Sequence, residues 1–168
     1  MAQDERGTGG GRVLAPGEGR AVLVPSAGGR VTMKAESGDT GGAVTVFENV
    51  LRPHAPGPAR HFHRTWTELF YVLEGEMLFE VDGELRSAPP GTFVSVPPGT
   101  VHAFRNPSDN EAKLLITFIP GGFEGFFDAG KDLGSPMTDA AAWQEINEQW
   151  DIQVVGPPLE GESVAPPS

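Results

Sequence analysis

Short apolar runs cut off by glycine and proline are the feature that most limits the folds open to this chain of 168 residues. Its 23 glycines and 16 prolines exceed ordinary usage. They recur between stretches of strand length: "RAVLVP" (20–25), "GGAVTVFENV" (41–50), "ELFYVLEG" (68–75), "MLFEVDGELR" (77–86), "GTFVSVP" (91–97), "VHAFRN" (101–106) and "KLLITFIP" (113–120). Such punctuation separates many short strands and does not suit a helical bundle. Asp82-Gly83 within "VDGE" fits a two-residue hairpin turn, which needs positive φ. Short strands with turn signals this regular predict a β-sandwich or barrel.

One stretch departs from the pattern. "TDAAAWQEINEQW" (138–150) offers Thr138 or Asp139 as a cap, then good helix formers. Trp143, Ile146 and Trp150 fall on one helical stripe that would dock the helix on the barrel or on a partner subunit. The polar, glycine-rich start and the closing "GPPLEGESVAPPS" read as loose segments. The expected organisation is a lead over 1–20, a barrel over 21–137, a helical segment packed on it over 138–155 and a tail over 156–168.

With no cysteine, disulfides, thiolate metal sites and a cysteine nucleophile are excluded, and the composition fits a reducing compartment. The N-terminus has no apolar core like that of a secretory signal, and no run of about 18 apolar residues offers a membrane span. A cytoplasmic protein is expected. A formal charge of -11 argues against nucleic acid or an anionic membrane as a main partner, and its spread along the chain reads as solubility.

The chemistry concentrates in "HFHRTWTELFYVLEG" (61–75). Residues i and i+2 of a strand face the same way, so His61 and His63 project from one face. Glu68 opens the next apolar strand and can face the same point. His102 arrives from a second segment, just after the turn at Pro98-Gly99. Three imidazoles and one carboxylate suit one divalent transition ion (Fe, Mn, Co, Ni, Cu or Zn) better than Mg or Ca. By the same parity Phe70 and Val72 share the face of Glu68, and Phe104 that of His102. Arg60, Arg64 and Arg105 have the opposite parity and belong outside or at the rim.

The spacing of these residues resembles the cupin superfamily. Gly91-x5-Pro97-x-Gly99-x2-His102-x3-Asn106 matches the second motif of that family at every defining position. His61-x-His63-x4-Glu68-x6-Gly75 matches most of the first. The resemblance covers about residues 40 to 125, with a looser likeness to small bacterial quercetin dioxygenase-like proteins. Ala55 stands where the family usually has a glycine, and the nearest glycine is Gly57. What the resemblance implies is an all-β double-stranded β-helix, a cupin jelly-roll barrel, with one C-terminal helix. His61, His63, Glu68 and His102 would hold the metal inside it, and Met77 and Phe79 would join Phe70, Val72 and Phe104 around the substrate. Asn106 is expected to fix backbone in a turn, and His54 is left outside the site.

The reaction expected is oxygenation of a small aromatic or enolic substrate, with Glu68 as ligand and, once displaced, as the catalytic base. Non-oxidative isomerisation or polyketide cyclisation is the alternative on the same scaffold, and ligand binding without turnover is a third. Sugar epimerisation fits less well, because the only tyrosine, Tyr71, has the opposite parity to Glu68. The resemblance to cupin barrels, which pair through edge strands and N-terminal arms, together with the strand character of "RAVLVP", implies a homodimer by strand exchange or sheet extension, with docking of that strand on its own barrel as the alternative.

Overall fold

In a computed structural model the chain is described at residues 10–24, 29–134, 136 and 138–161, apart from the side chains of 23 and 24. Two antiparallel sheets face each other in a jelly roll. The strands of the first are β1 (Arg20–Val24), β2 (Gly29–Ala35), β3 (Thr45–Leu51), β10 (Ala112–Ile119), β5 (Thr67–Glu74) and β8 (Phe93–Val96), in that spatial order. The second runs β11 (Gln153–Val154), β4 (His61–Phe62), β9 (His102–Arg105), β6 (Met77–Val81) and β7 (Glu84–Ala88). No helix among the described residues is long and apolar enough to cross a membrane.

Period-two alternation fixes which face is inside. Along β3, Thr45, Phe47, Asn49 and Leu51 are buried while their neighbours are half-exposed, and β10 repeats this with Ala112, Leu114, Ile116 and Phe118. The β10–β5 register sets Ile116 against Phe70 and Phe118 against Glu68. Phe70, Phe79, Phe118, Met33 and Leu114 are among the largest of the fully buried side chains, and each such burial contributes about 1.5–3 kcal/mol. The β6–β7 hairpin turns at Asp82 (φ 49) and Gly83 (φ 81), the double positive φ that the Asp-Gly pair predicts.

The sequence reading passes from 20–25 directly to 41–50 and misses β2. Glycine at its start and charge at its end break up the apolar signal, yet Val31 and Met33 are buried. The following strand begins at Thr45 rather than at 41, because Gly41 and Gly42 close a short helix α1 (Ser37–Thr40) at positive φ. β1 pairs with β2 of its own chain, Arg20 opposite Met33, and stands at one end of its sheet.

Helix α3 (Ala140–Gln149) falls where expected, with Trp143 and Ile146 buried. Asp139 is its first flanking residue but makes no side-chain cap; its carboxylate instead accepts from the Gly134 N–H at 2.8 Å. A further helix, α2 (Glu124–Gly130), lies in a Gly-Phe-rich stretch whose glycines weaken any local helix signal. Those glycines seat Trp143 of α3 and Trp150, its C-cap. A Cβ on Gly125 would stand 2.1 Å from the Trp150 ring, and one on Gly130 2.6 Å from that of Trp143.

Of the segments read as loose ends, 1–9 and 162–168 lie outside the described residues. Arg12 donates to the Lys34 carbonyl at 3.1 Å and Lys34 to that of Glu18 at 2.7 Å. At the other end Leu159 is buried against Leu78 and Ala103 on the outer face of the second sheet.

Candidate metal centre

β4 is only two residues long, yet it is paired on both sides. His61 stands opposite His102 of β9 and opposite Val154 of β11. His63 follows as the chain leaves the strand, where its carbonyl accepts from the Gly99 N–H at 2.7 Å. Gly99 has φ 85 in the turn closed by Thr100 N–H to Pro97 O at 3.2 Å, and that turn delivers His102. Glu68 points inward from β5 between Phe118 and Val96. All four predicted ligands are buried, and one donor atom from each lies within 4.8 Å of the others. Nitrogen and oxygen donors sit about 2.0–2.2 Å from a transition ion, so the cluster would contract somewhat around one.

Each imidazole is oriented by its outer nitrogen. The Nδ1–H groups of His61, His63 and His102 donate to the carbonyls of Ala59 (2.7 Å), Asp151 (3.0 Å) and Thr100 (3.1 Å). This leaves Nε2 facing the interior, the arrangement that prepares histidine as a metal ligand. His102 Nε2 meets Glu68 Oε2 at 2.9 Å. His63 Nε2 lies 3.3 Å from the same oxygen but is not in hydrogen-bonding geometry, and it is buried with no hydrogen-bond partner among the described residues. A buried ring nitrogen left unbonded beside a carboxylate oxygen is a costly arrangement that a cation between them would satisfy. The donor set therefore fits a divalent transition ion.

The electrostatics agree. Burial pushes His61 down to about 3, reinforced by His102 beside it. Burial alone would raise the Glu68 carboxyl, but the hydrogen bond from His102 and the nearby His63 ring outweigh it and hold it at about 2. Burial also opposes charge on His102, whereas Glu68 draws its pKa above the ordinary value. In the absence of metal, His102 is fixed between Thr100 O and the Glu68 carboxylate. A metal would compete with protons for the imidazole Nε2 atoms, so affinity falls as pH falls.

Phe70, Val72, Met77, Phe79 and Phe104, the expected pocket residues, are all buried in the main core. Among their described ring contacts only Phe70 touches a ligand, 6.1 Å from His102 in an edge-on arrangement, with Phe79 and Phe104 packed behind it. The His63 side is walled instead by Phe118, Phe123 and Trp66, all edge-on at 5.4, 5.8 and 6.3 Å. Inward parity along β10 could have yielded Phe118; Trp66, Phe123 and Asp151 have no comparable local signal. Arg60 binds Glu80 (2.7 Å) and Arg64 reaches Gln153 (3.0 Å), which accounts for both away from the donors. Asn106 is fully buried and fastens a turn: its amide donates to the Leu51, Arg52 and Asn110 carbonyls, and its Oδ1 accepts from Ser108. His54 is exposed, paired with Asp109.

A family model for the cupin domain matches residues 47–118, the span that contains all four candidate ligands. KdgF from Halomonas sp. is similar in structure, with a TM-score of 0.59 and 18% identity over 69% of this chain and 99% of that one. The polyketide cyclase RemF from Streptomyces resistomycificus has a TM-score of 0.55 and 22% identity over 64% of this chain and 78% of its own. A predicted oxalate decarboxylase from Thermotoga maritima has a TM-score of 0.54 and 20% identity over 65% and 99%. A search of curated protein sequences found no match. At these identities the structural likeness establishes the fold alone. The domain match and the jelly roll together support the cupin superfamily, with a four-residue His/Glu cluster that can hold a metal.

Proposed function

We propose that this chain is a metal-dependent cupin enzyme that oxygenates a small aromatic or enolic substrate. The observation that carries the reading is the buried His61–His63–Glu68–His102 cluster, in which three imidazoles are turned inward by backbone carbonyls. A bound transition ion would supply a Lewis-acid centre and, if redox-active, a route for electrons between substrate and O₂. The chain's own groups do the rest. Trp66, Phe118 and Phe123 exclude water from the His63 side and offer ring faces and edges that suit a flat apolar substrate. Glu68 is a weak base while His102 and His63 hold its carboxyl at about 2. It can take a substrate proton only after release from that pair, which couples substrate entry to proton removal.

The test is metal-stripped protein reloaded with Fe, Mn, Co or Ni and offered a panel of flavonols and enols with O₂ uptake recorded. Uptake dependent on both metal and Glu68 supports the reading, and none across the panel counts heavily against it. The same buried ion-pair chemistry at Glu68 also serves non-oxidative isomerisation or cyclisation, which predicts turnover under argon and with redox-inert Zn. Tight co-purification of an unreacted small molecule would favour binding without catalysis. A homodimer extended through the β1 edge, in the cytoplasm, belongs to the same proposal, and sedimentation at several concentrations checks the assembly.

A further inference from the structure

Asp151 breaks two local rules at once. It occupies the position after the C-cap of α3 with φ 52, a left-handed conformation normally given to glycine or asparagine. The chain closes there as a Schellman turn, with Ile152 N–H to Asn147 O at 2.8 Å and Asp151 N–H to Glu148 O at 3.4 Å. A carboxylate at a helix C-terminus also opposes the macrodipole. Glycine would satisfy both rules, so aspartate must be held there by something else.

What holds it is the segment just after a candidate ligand. Asp151 Oδ2 accepts from Arg64 N–H (2.7 Å), Thr65 N–H (2.9 Å) and the Thr65 hydroxyl (3.0 Å), while the Asp151 carbonyl accepts from His63 Nδ1 at 3.0 Å. One residue thus grips the chain on the C-terminal side of His63 and the ring of His63 together. The neighbours reinforce the grip. Trp150 stacks on Trp66 at 6.4 Å, and β11 pairs Gln153 with Phe62 and Val154 with His61. Trp150, Asp151 and β11 all lie beyond residue 118, where the cupin-domain match ends.

We propose that Asp151 is a positioning residue of the metal centre, a left-handed clamp that fixes the tautomer and direction of the His63 imidazole. The inference rests on the metal-centre reading, but its first readout does not need metal. In the stripped full-length protein, long-range proton–nitrogen NMR should find His63 as the Nδ1–H tautomer in wild type and in D151N, and as a mixture in D151G. Co²⁺ titration should then give D151G an affinity about 10- to 100-fold below wild type, the range for lost outer hydrogen bonds. D151N, which keeps an acceptor oxygen and tolerates positive φ, should stay within about threefold.

A residue that only ended the helix would behave in the opposite way. D151G would then be as stable as wild type or more so, with Co²⁺ affinity and His63 tautomer unchanged, and that result overturns the proposal. D151A is the harsher variant, and if it fails to fold the D151G–D151N pair still decides. A wild-type protein that takes up no Co²⁺, yet loses the His63 tautomer in D151G, upholds the clamp and removes the metal reading.

Discussion

His61 and His102 are oriented locally, and His63 is oriented from a distance. The first two donate to carbonyls only two residues back, at Ala59 and Thr100. The third donates to Asp151, 88 residues further along the chain. A local bond of this kind forms as soon as the strand and turn do, and every stretch that places the histidine also places its acceptor. The remote bond requires the second sheet, α3 and the Schellman turn to be assembled first. One half of the site is therefore as stable as the barrel, while the other is as stable as the docking of a short C-terminal segment.

The largest expected effect tests what both halves share. His61→Ala, His63→Ala or His102→Ala should each abolish stoichiometric metal, read by elemental analysis of protein purified without chelators. That loss exceeds the roughly 10- to 100-fold expected for an orienting partner. Metal retained in two of the three variants would mean that the cluster is not one site.

On the local side, Gly57→Ala should destabilise the whole barrel by about 2–4 kcal/mol, read by urea unfolding of metal-free protein. Gly57 sits at φ 67, and a Cβ there would lie 1.8 Å from the Phe104 carbonyl oxygen, next to the strand of His102. The folded fraction should still bind metal normally. On the remote side, Trp150→Ala removes the ring wedged between Gly125 and Trp66. It should cost about 1–3 kcal/mol and, unlike Gly57→Ala, weaken Co²⁺ binding in protein that is fully folded. If both variants changed affinity alike, the local and remote halves would be one cooperative unit and the comparison would fail.

The same division explains what could be read in the sequence. Alternation is a local property, so β5, β6, β9 and β10 and the inward parity of Glu68, Phe70 and Phe104 are legible from neighbouring residues. The ligand set is legible because histidine spacing and the turn at Pro97–Thr100 are contiguous. Gly57 shows the limit. The sequence records Ala55 at the position where resemblance anticipates glycine, but only the fold reveals that Ala55 is buried, its carbonyl accepting from Asn106 N–H at 3.1 Å, while Gly57 makes the close approach to β9. β2 and α2 are missed because glycine weakens the local pattern at places where a distant carbonyl or tryptophan needs the space: a Cβ on Gly29 would stand 2.7 Å from the Val50 carbonyl. Asp151 is invisible for the same reason, since nothing near it in the chain mentions His63.

The smallest effect compares two carboxylates with similar jobs in different places. Glu124, like Asp151, accepts from backbone and hydroxyl donors: Ser37 N–H at 2.9 Å, Gly122 N–H at 3.1 Å, and the Ser37 and Thr45 hydroxyls. It joins α1, β3 and α2, well away from the four ligands in sequence. Burial alone would raise its pKa, but these donors hold it at about 2, below the ordinary 4.5. A carboxyl depressed in the folded state stabilises fully above its ordinary pKa, and the contribution is lost as pH falls toward the folded value. Glu124→Gln should therefore reduce stability at pH 6, with the gap from wild type narrowing between pH 4.5 and 2, read by urea midpoints across that range. Metal affinity at neutral pH should not change. A Glu124→Gln protein with weakened Co²⁺ binding would show that α2 also carries strain into the centre through Phe123, 5.8 Å from the His63 ring, and would extend the remote half of the site beyond Asp151.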